Sequence, residues 1–208
     1  MPLIRKPSDR PADISRTPGE PLKSLTDPDC DRRWRAARDA ADLDGGDTAL
    51  AAALLIETDP RVRETMFTSL ARLGTPVAVE AIISRLRSDD SGSRSGALHA
   101  LRIMIPHMHD LLPRLLADPD ADIRILSCEL ARSMEGTEAT QLLCRVLEDD
   151  PEANVCAAAV EVLAEVGGPE ALASLRKCAL KFAGSPFLSF AIQVVIERLS
   201  SHAGATRA

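Results

Sequence analysis

The chain has 208 residues, 45% of them apolar but only 2% aromatic, with no Tyr. A core must therefore be built from Leu, Ala, Val and Ile, which suits closely packed helices and gives no reason to expect strands. The formal charge of −6 argues against a general nucleic-acid binder, because phosphate contacts need clustered Lys and Arg, and no stretch approaches the ~20 apolar residues of a membrane span.

Residues 1–24 hold five of the 14 prolines (Pro2, Pro7, Pro11, Pro18 and Pro21), alternate charges and lack apolar periodicity, so a disordered tail is expected. It is too polar for a signal peptide, and five Cys, an odd number, suit a reducing compartment. A cytoplasmic protein is expected. Charge is uneven: residues 1–40 carry nine Lys/Arg against seven Asp/Glu, the remainder 16 against 24.

From residue 25 the chain reads as paired helices. Residues 25–55 carry Asp27-Pro28, then Trp34, Ala36, Ala37, Ala40 and Leu43, a Gly45-Gly46 break and a second Ala/Leu-rich helix, a first capping repeat. A phrase then recurs: Val62, Arg63, Leu70, Leu73, Gly74; Ser93, Arg94, Leu101, Met104; Ile123, Arg124, Ala131, Met134; Val155, Leu163, Val166, Gly167, with starts 31, 30 and 32 residues apart. Such a period marks a solenoid, whose units bury their apolar faces against one another.

In the clearest unit Asp59-Pro60 makes the turn, Val62, Met66, Leu70 and Leu73 line one helix face, and Gly74 closes it. Thr75-Pro76 then opens a second helix with Ile82, Ile83 and Leu86 inward. The grammar returns at Asp118-Pro119, Gly136-Thr137 and Leu142-Leu143, and at Asp149-Asp150-Pro151, Gly167-Gly168-Pro169 and Leu172 to Leu175. One unit is irregular, with Ser91-Gly92-Ser93 in place of the Pro turn and Pro106 in place of the closing Gly. Residues 186–199 (Phe187, Phe190, Ile192, Val194, Val195, Leu199) read as a C-terminal capping helix, and 200–208 as a tail. The repeat domain spans 25–199, ample for a continuous core.

At these residues the chain resembles the HEAT-repeat family, and more narrowly the short bacterial repeats named after the phycobilisome bilin lyases. The shared pattern is the Asp-Pro turn, Val-Arg at the start of the first helix, small residues in mid-helix and the closing Gly. The resemblance implies an all-α, right-handed α-α superhelix of about five helix pairs plus a C-terminal capping helix. It also implies that second helices line the inner surface and that most members are binding scaffolds.

Four cations then stand in candidate register on the second helices: Arg85, Arg114, Arg145 and Arg176. They could receive the carboxylates of an acidic partner protein; equally, Arg near a helix C-terminus answers the helix dipole, worth ~0.3–1 kcal/mol. A second series, Arg63, Arg94 and Arg124, is expected to pair between adjacent units with Asp59, Asp90 and Asp122. Trp34 and the Phe187/Phe190 pair are rival contact sites, and the exposed apolar groups of the last helix allow a homodimer.

Metal and catalytic readings fare less well. Asp118, Asp120, Asp122 and Glu129 match calcium-loop positions, but Ile123 stands where Gly is needed for the turn. His107 and His109 supply two ligands only. Cys128, Cys144, Cys156 and Cys178 lack CxxC spacing and read as buried thiols. The His-Glu pairs of the HEAT-repeat deoxyhypusine hydroxylases are missing at His99, His107, His109 and His202, and Trp34 and Phe67 alone do not make the basic, aromatic groove of the helical-repeat DNA glycosylases. No cofactor or metal is expected. The residues favour a non-catalytic protein-binding adaptor, in bacterial signalling by family habit, over an accessory or catalytic subunit of a bilin lyase-type enzyme.

Overall fold

The computed structural model describes residues 20–205, with side chains described at 22–104 and 109–201. Tail residues 1–19 and 206–208 lie outside the described residues. A short helix α1 (Glu20–Lys23) falls inside the segment expected to be tail, and Leu25 just after it is buried. Five helix pairs follow: α2 (Cys30–Asp39) with α3 (Gly46–Ile56), α4 (Pro60–Leu73) with α5 (Pro76–Leu86), α6 (Ser91–Ile103) with α7 (Ile105–Leu116), α8 (Ala121–Ala131) with α9 (Gly136–Asp149), and α10 (Ala153–Val166) with α11 (Leu172–Lys181). The last helix, α12 (Pro186–Ala205), runs past residue 199, so residues 200–205 continue the cap. There is no strand among the described residues, and the chain is an all-α solenoid.

Four of the five paired first helices begin in the same way. Asp29, Asp59, Asp90 and Asp120 stand at the N-caps of α2, α4, α6 and α8 and accept amide hydrogens from the first turn, a cap worth ~0.5–2 kcal/mol. Two residues earlier a second polar side chain accepts the cap residue's own amide: Asp27, Glu57, Ser88, Asp118 and, ahead of α10, Asp150, at 2.8–3.3 Å. The Asp-Pro turn of the sequence is thus an Asx-type turn feeding a capped helix. At the far end of α4, Gly74 sits at φ 60°, the left-handed position that closes a helix without a Cβ penalty. Gly136, read as a closing residue, instead opens α9, because α8 ends at Ala131 and a short turn intervenes.

Packing follows the two layers. First helices stack on one another (α2 on α4, α4 on α6, α8 on α10, α10 on α12), as do second helices α3 on α5 and α9 on α11. Val62, Met66, Leu70, Ile82, Leu101, Leu112, Ile123, Leu143 and Leu163 are fully buried between them, each worth ~1.5–3 kcal/mol relative to exposure. Close approach is built in at Gly96, where a Cβ would stand 2.6 Å from the Phe67 ring.

One side chain ties repeat to repeat. Arg124 donates to Asp118 O and Pro119 O in its own turn (2.9 and 3.2 Å) and forks onto Asp150 in the next turn (2.6 and 3.1 Å). Arg33 does the same with Asp27 O, Pro28 O and Glu57. Where the turn residue is Ser88, Arg63 reaches past it to Asp90 at 3.1 Å. Of the expected partners only Asp90 pairs in this way: Asp59 caps its own helix, and Asp122 stands exposed in the first turn of α8. The arginine reaches forward to the residue two before the next cap.

The ladder is interrupted in the middle. Arg94 holds the carbonyls of Ser88 and Asp89 (2.6 and 3.0 Å), but Asp118, the carboxylate ahead of it, is taken by Arg87 from the α5–α6 turn (2.5 Å). At this junction α6 packs only slightly on α8, and α7 rests mainly on α8 rather than on α5 or α9. A single residue, Met104, joins α6 to α7. The missing Gly and the Pro106 noted in the sequence are where the regular stacking breaks.

Removing Arg124 leaves Asp150 buried without its partner, a loss of ~3 kcal/mol for Arg124→Ala, against less than ~1 kcal/mol for Arg87→Ala at its more exposed pair; urea unfolding midpoints test the contrast. Burial pushes Glu57 and Asp118 upward, but Arg33 and Arg87 with the turn amides more than offset it, so both carboxyls sit below their usual range. Their contribution is complete above the unfolded carboxylate pKa of ~4 and is lost as pH falls through the folded values. Thermal melts should therefore show lower stability at pH 3 than at pH 6.

Candidate protein-binding surface

The second helices share a burial register that fixes which cations align. Ile82, Ile83 and Leu86, Leu111, Leu112 and Leu115, Leu142, Leu143 and Val146, and Ser174, Leu175 and Cys178 are the inward sets. The residue just before the last of each set is Arg85, Arg114, Arg145 and Lys177. Arg176 therefore falls one position off the row, level with Ser84, Pro113 and Cys144, and the fourth rung is Lys177. The signal was present in the sequence: Ser174 occupies the place of the apolar residue that opens the other three sets.

The four predicted arginines differ in what holds them. Arg85 is half-buried and donates to Ser88 Oγ (3.3 Å) and Ser93 Oγ (3.0 Å), bracing the α5–α6 turn. Arg114 is exposed and pairs with Glu80 of α5 at 2.6 Å. Arg145 and Arg176 are exposed, with no ion pair to either among the described residues. Three acidic residues that the sequence reading passed over thread the same ridge: Glu80, Glu138, which meets His109 at 2.6 Å, and Glu148, which accepts from Ser174 (2.8 Å) and Lys177 (3.0 Å). Lys181 caps the end of α9 through Leu147 O and Glu148 O. The ridge is therefore a row of mixed charge in which Arg114 and Lys177 meet carboxylates, Arg85 meets only hydroxyls, and Arg145 and Arg176 have no ion pair among the described residues.

Arg145 also stands at a cleft. Because α7 keeps away from α9, a space of about 580 Å³ opens between their C-terminal ends, floored by Leu116, Leu142 and Val146 and edged by Arg145, Asp149 and Glu152. It can take an apolar side chain with a charged neighbour. Trp34, the rival site, is half-buried under the guanidinium groups of Arg38 and Arg61, whose carbons lie 4.9 and 5.6 Å from the ring centre, and Arg61 pairs in turn with Asp31. These cation–π contacts account for its packing.

Asp118 and Asp120 are engaged in the turn ahead of α8, and among the described residues no three His, Cys, Asp or Glu side chains converge on one point. The side chain of His107, and His202, lie outside those described. Cys128, Cys156 and Cys178 are buried and Cys144 half-buried. Burial pushes the Cys128 thiol up to about 12; the Cys178 sulfur and burial raise Cys156, while Cys178, facing it and Lys181, is lowered.

A family model of HEAT repeats matches residues 20–102 and 108–185, and the chain belongs to the HEAT-repeat family. The gap between the two matches falls at the α6–α7 junction. No curated protein matches the chain significantly. Similar solved structures include an engineered protein (20% identity, TM-score 0.41, 87% of this chain and 95% of that one) and the complex of CpcE and CpcF of phycocyanin lyase from Nostoc (15%, 0.40, 95% and 100%). A designed armadillo repeat protein is also similar (15%, 0.40, 88% and 100%). No helix among the described residues is long and apolar enough to cross a membrane.

A thiol reagent applied to the folded chain at pH 8 should modify Cys128 roughly a hundredfold more slowly than the half-exposed Cys30, since only the thiolate reacts. Mass mapping of the labelled sites gives the ratio.

Proposed function

We propose that the chain is a non-catalytic cytoplasmic scaffold whose second-helix ridge binds a partner protein through an acidic surface, as an adaptor in a bacterial system such as signalling. The observation that carries this reading is Arg145, an exposed guanidinium with no ion pair among the described residues, standing over the apolar floor of Leu116, Leu142 and Val146. A carboxylate beside an apolar anchor satisfies both parts of that site. Arg176, one repeat on, is likewise exposed and has no ion pair among the described residues. Arg85 belongs to the turn and Arg114 is half-neutralised by Glu80, so neither is a first choice for contact. Because α12 belongs to the first-helix layer, a homodimer through it leaves the ridge open.

The test is affinity capture from the native lysate with the full chain and an Arg145→Glu/Arg176→Glu variant, eluates identified by mass spectrometry. A partner depleted at least about tenfold in the variant, and released by salt, is the expected result. Capture that ignores both changes would place the contact elsewhere. A chromophore retained with the captured protein would favour the competing bilin lyase-type role.

A further inference from the structure

The first helices can be compared position by position through their caps. The face turned away from the second helices is formed by Asp31, Trp34 and Arg38 in α2, Arg61, Glu64 and Thr68 in α4, Gly92, Ser95 and His99 in α6, Asp122, Ile125 and Glu129 in α8, and Asn154, Ala157 and Glu161 in α10. In α12 the same positions are Phe187, Phe190 and Val194, which are 77%, 70% and 49% exposed. By contrast, the flank of α12 corresponding to the one that α10 stacks against it carries Ser189 and Gln193, and Gln193 is bonded to Glu197. The stacking flank is thus largely polar and the outer face apolar, the reverse of what a repeat awaiting another repeat requires. Stacking a further unit would not cover the three apolar side chains.

We propose that this stripe pairs with the α12 of a second copy, the two helices antiparallel about a two-fold axis between Phe190 and Ala191. In that register Phe190 seats on Ala191 of the second copy, and Phe187 meets Val194 of the second copy, so large groups face small ones on both sides of the axis, as an isologous contact requires. Charge permits this occupant at α12 itself. The chain carries −6 overall, so copies repel, but α12 has no charged residue from Pro186 to Ile196, and antiparallel helix dipoles oppose one another favourably. The open area bounds the strength: the two Phe and Val194 leave roughly 350 Å² exposed per copy, within the range of functional patches but short of a permanent interface, so the association is weak and concentration-dependent. This proposal is independent of the ridge.

Sedimentation velocity of the full chain from about 1 to about 500 µM should show a monomer shifting to a dimer, more readily at higher salt because screening relieves the repulsion. Phe190→Glu should abolish the shift and Phe190→Leu largely keep it; circular dichroism checks that each variant is folded, as expected for so exposed a site. Phe187→Cys mixed with Val194→Cys should form a mixed disulfide on mild oxidation faster than either alone. Arg145→Glu should leave the dimer intact, which separates this result from failure of the ridge. A chain that stays monomeric throughout, a dimer indifferent to Phe190→Glu, or one dissolved by salt would overturn the proposal.

Discussion

A guanidinium that satisfies two carbonyls of its own turn and a carboxylate of the next is the contact on which this solenoid depends. No repeat can bury its apolar face alone, so register between neighbours must be set by something more directional than Leu and Ala packing. Arg124 and Arg33 supply that direction. Each closes the backbone before its helix and fixes the turn acid that in turn holds the next cap amide. Because Arg124 and Asp150 are 11% and 6% exposed, the pair is costly to break rather than merely favourable to form, which makes it a device for register more than for net stability.

The consequence of losing the contact is visible within the same molecule. At α6–α8 the turn acid is diverted to Arg87, the single residue Met104 replaces a glycine turn, and the stacking slackens. Clefts open on both sides of the α7–α8 turn, the one beneath Arg145 and another lined by Leu86, Arg94, Ile123 and Leu126. The candidate ridge site is thus a by-product of irregular stacking. A perfectly regular array would have closed α7 onto α9.

Much of this was legible in the residues. The period, the Asp-Pro turns and the Val-Arg openings specify five helix pairs because capping and helical periodicity are local properties. Direction of reach was not legible: Arg63, Arg94 and Arg124 each lie close in sequence to an Asp of their own unit, and only three-dimensional stacking sends Arg63 and Arg124 to the following turn while Arg94 stays on the carbonyls of its own. Register on the ridge failed for a related reason, since stepping one 31-residue period on from Arg145 selects Arg176 whereas burial of Ser174 selects Lys177. Glu80 and Glu148 were unread because a carboxylate 34 or 29 residues away from its cation has no local signature. Phe187 and Phe190 were legible both as part of a capping helix and as a rival contact site, and the positions they share with Arg61 and Glu64 place them on the outer face.

Native-state hydrogen exchange followed by mass spectrometry addresses the ladder most directly, since it reports opening repeat by repeat. Amides of α6 and α7 should exchange at least about tenfold faster than those of α4 and α10 under conditions where the whole chain remains folded. Equal protection across all of these helices would contradict the account, because packing alone would then hold the repeats in register without the arginine.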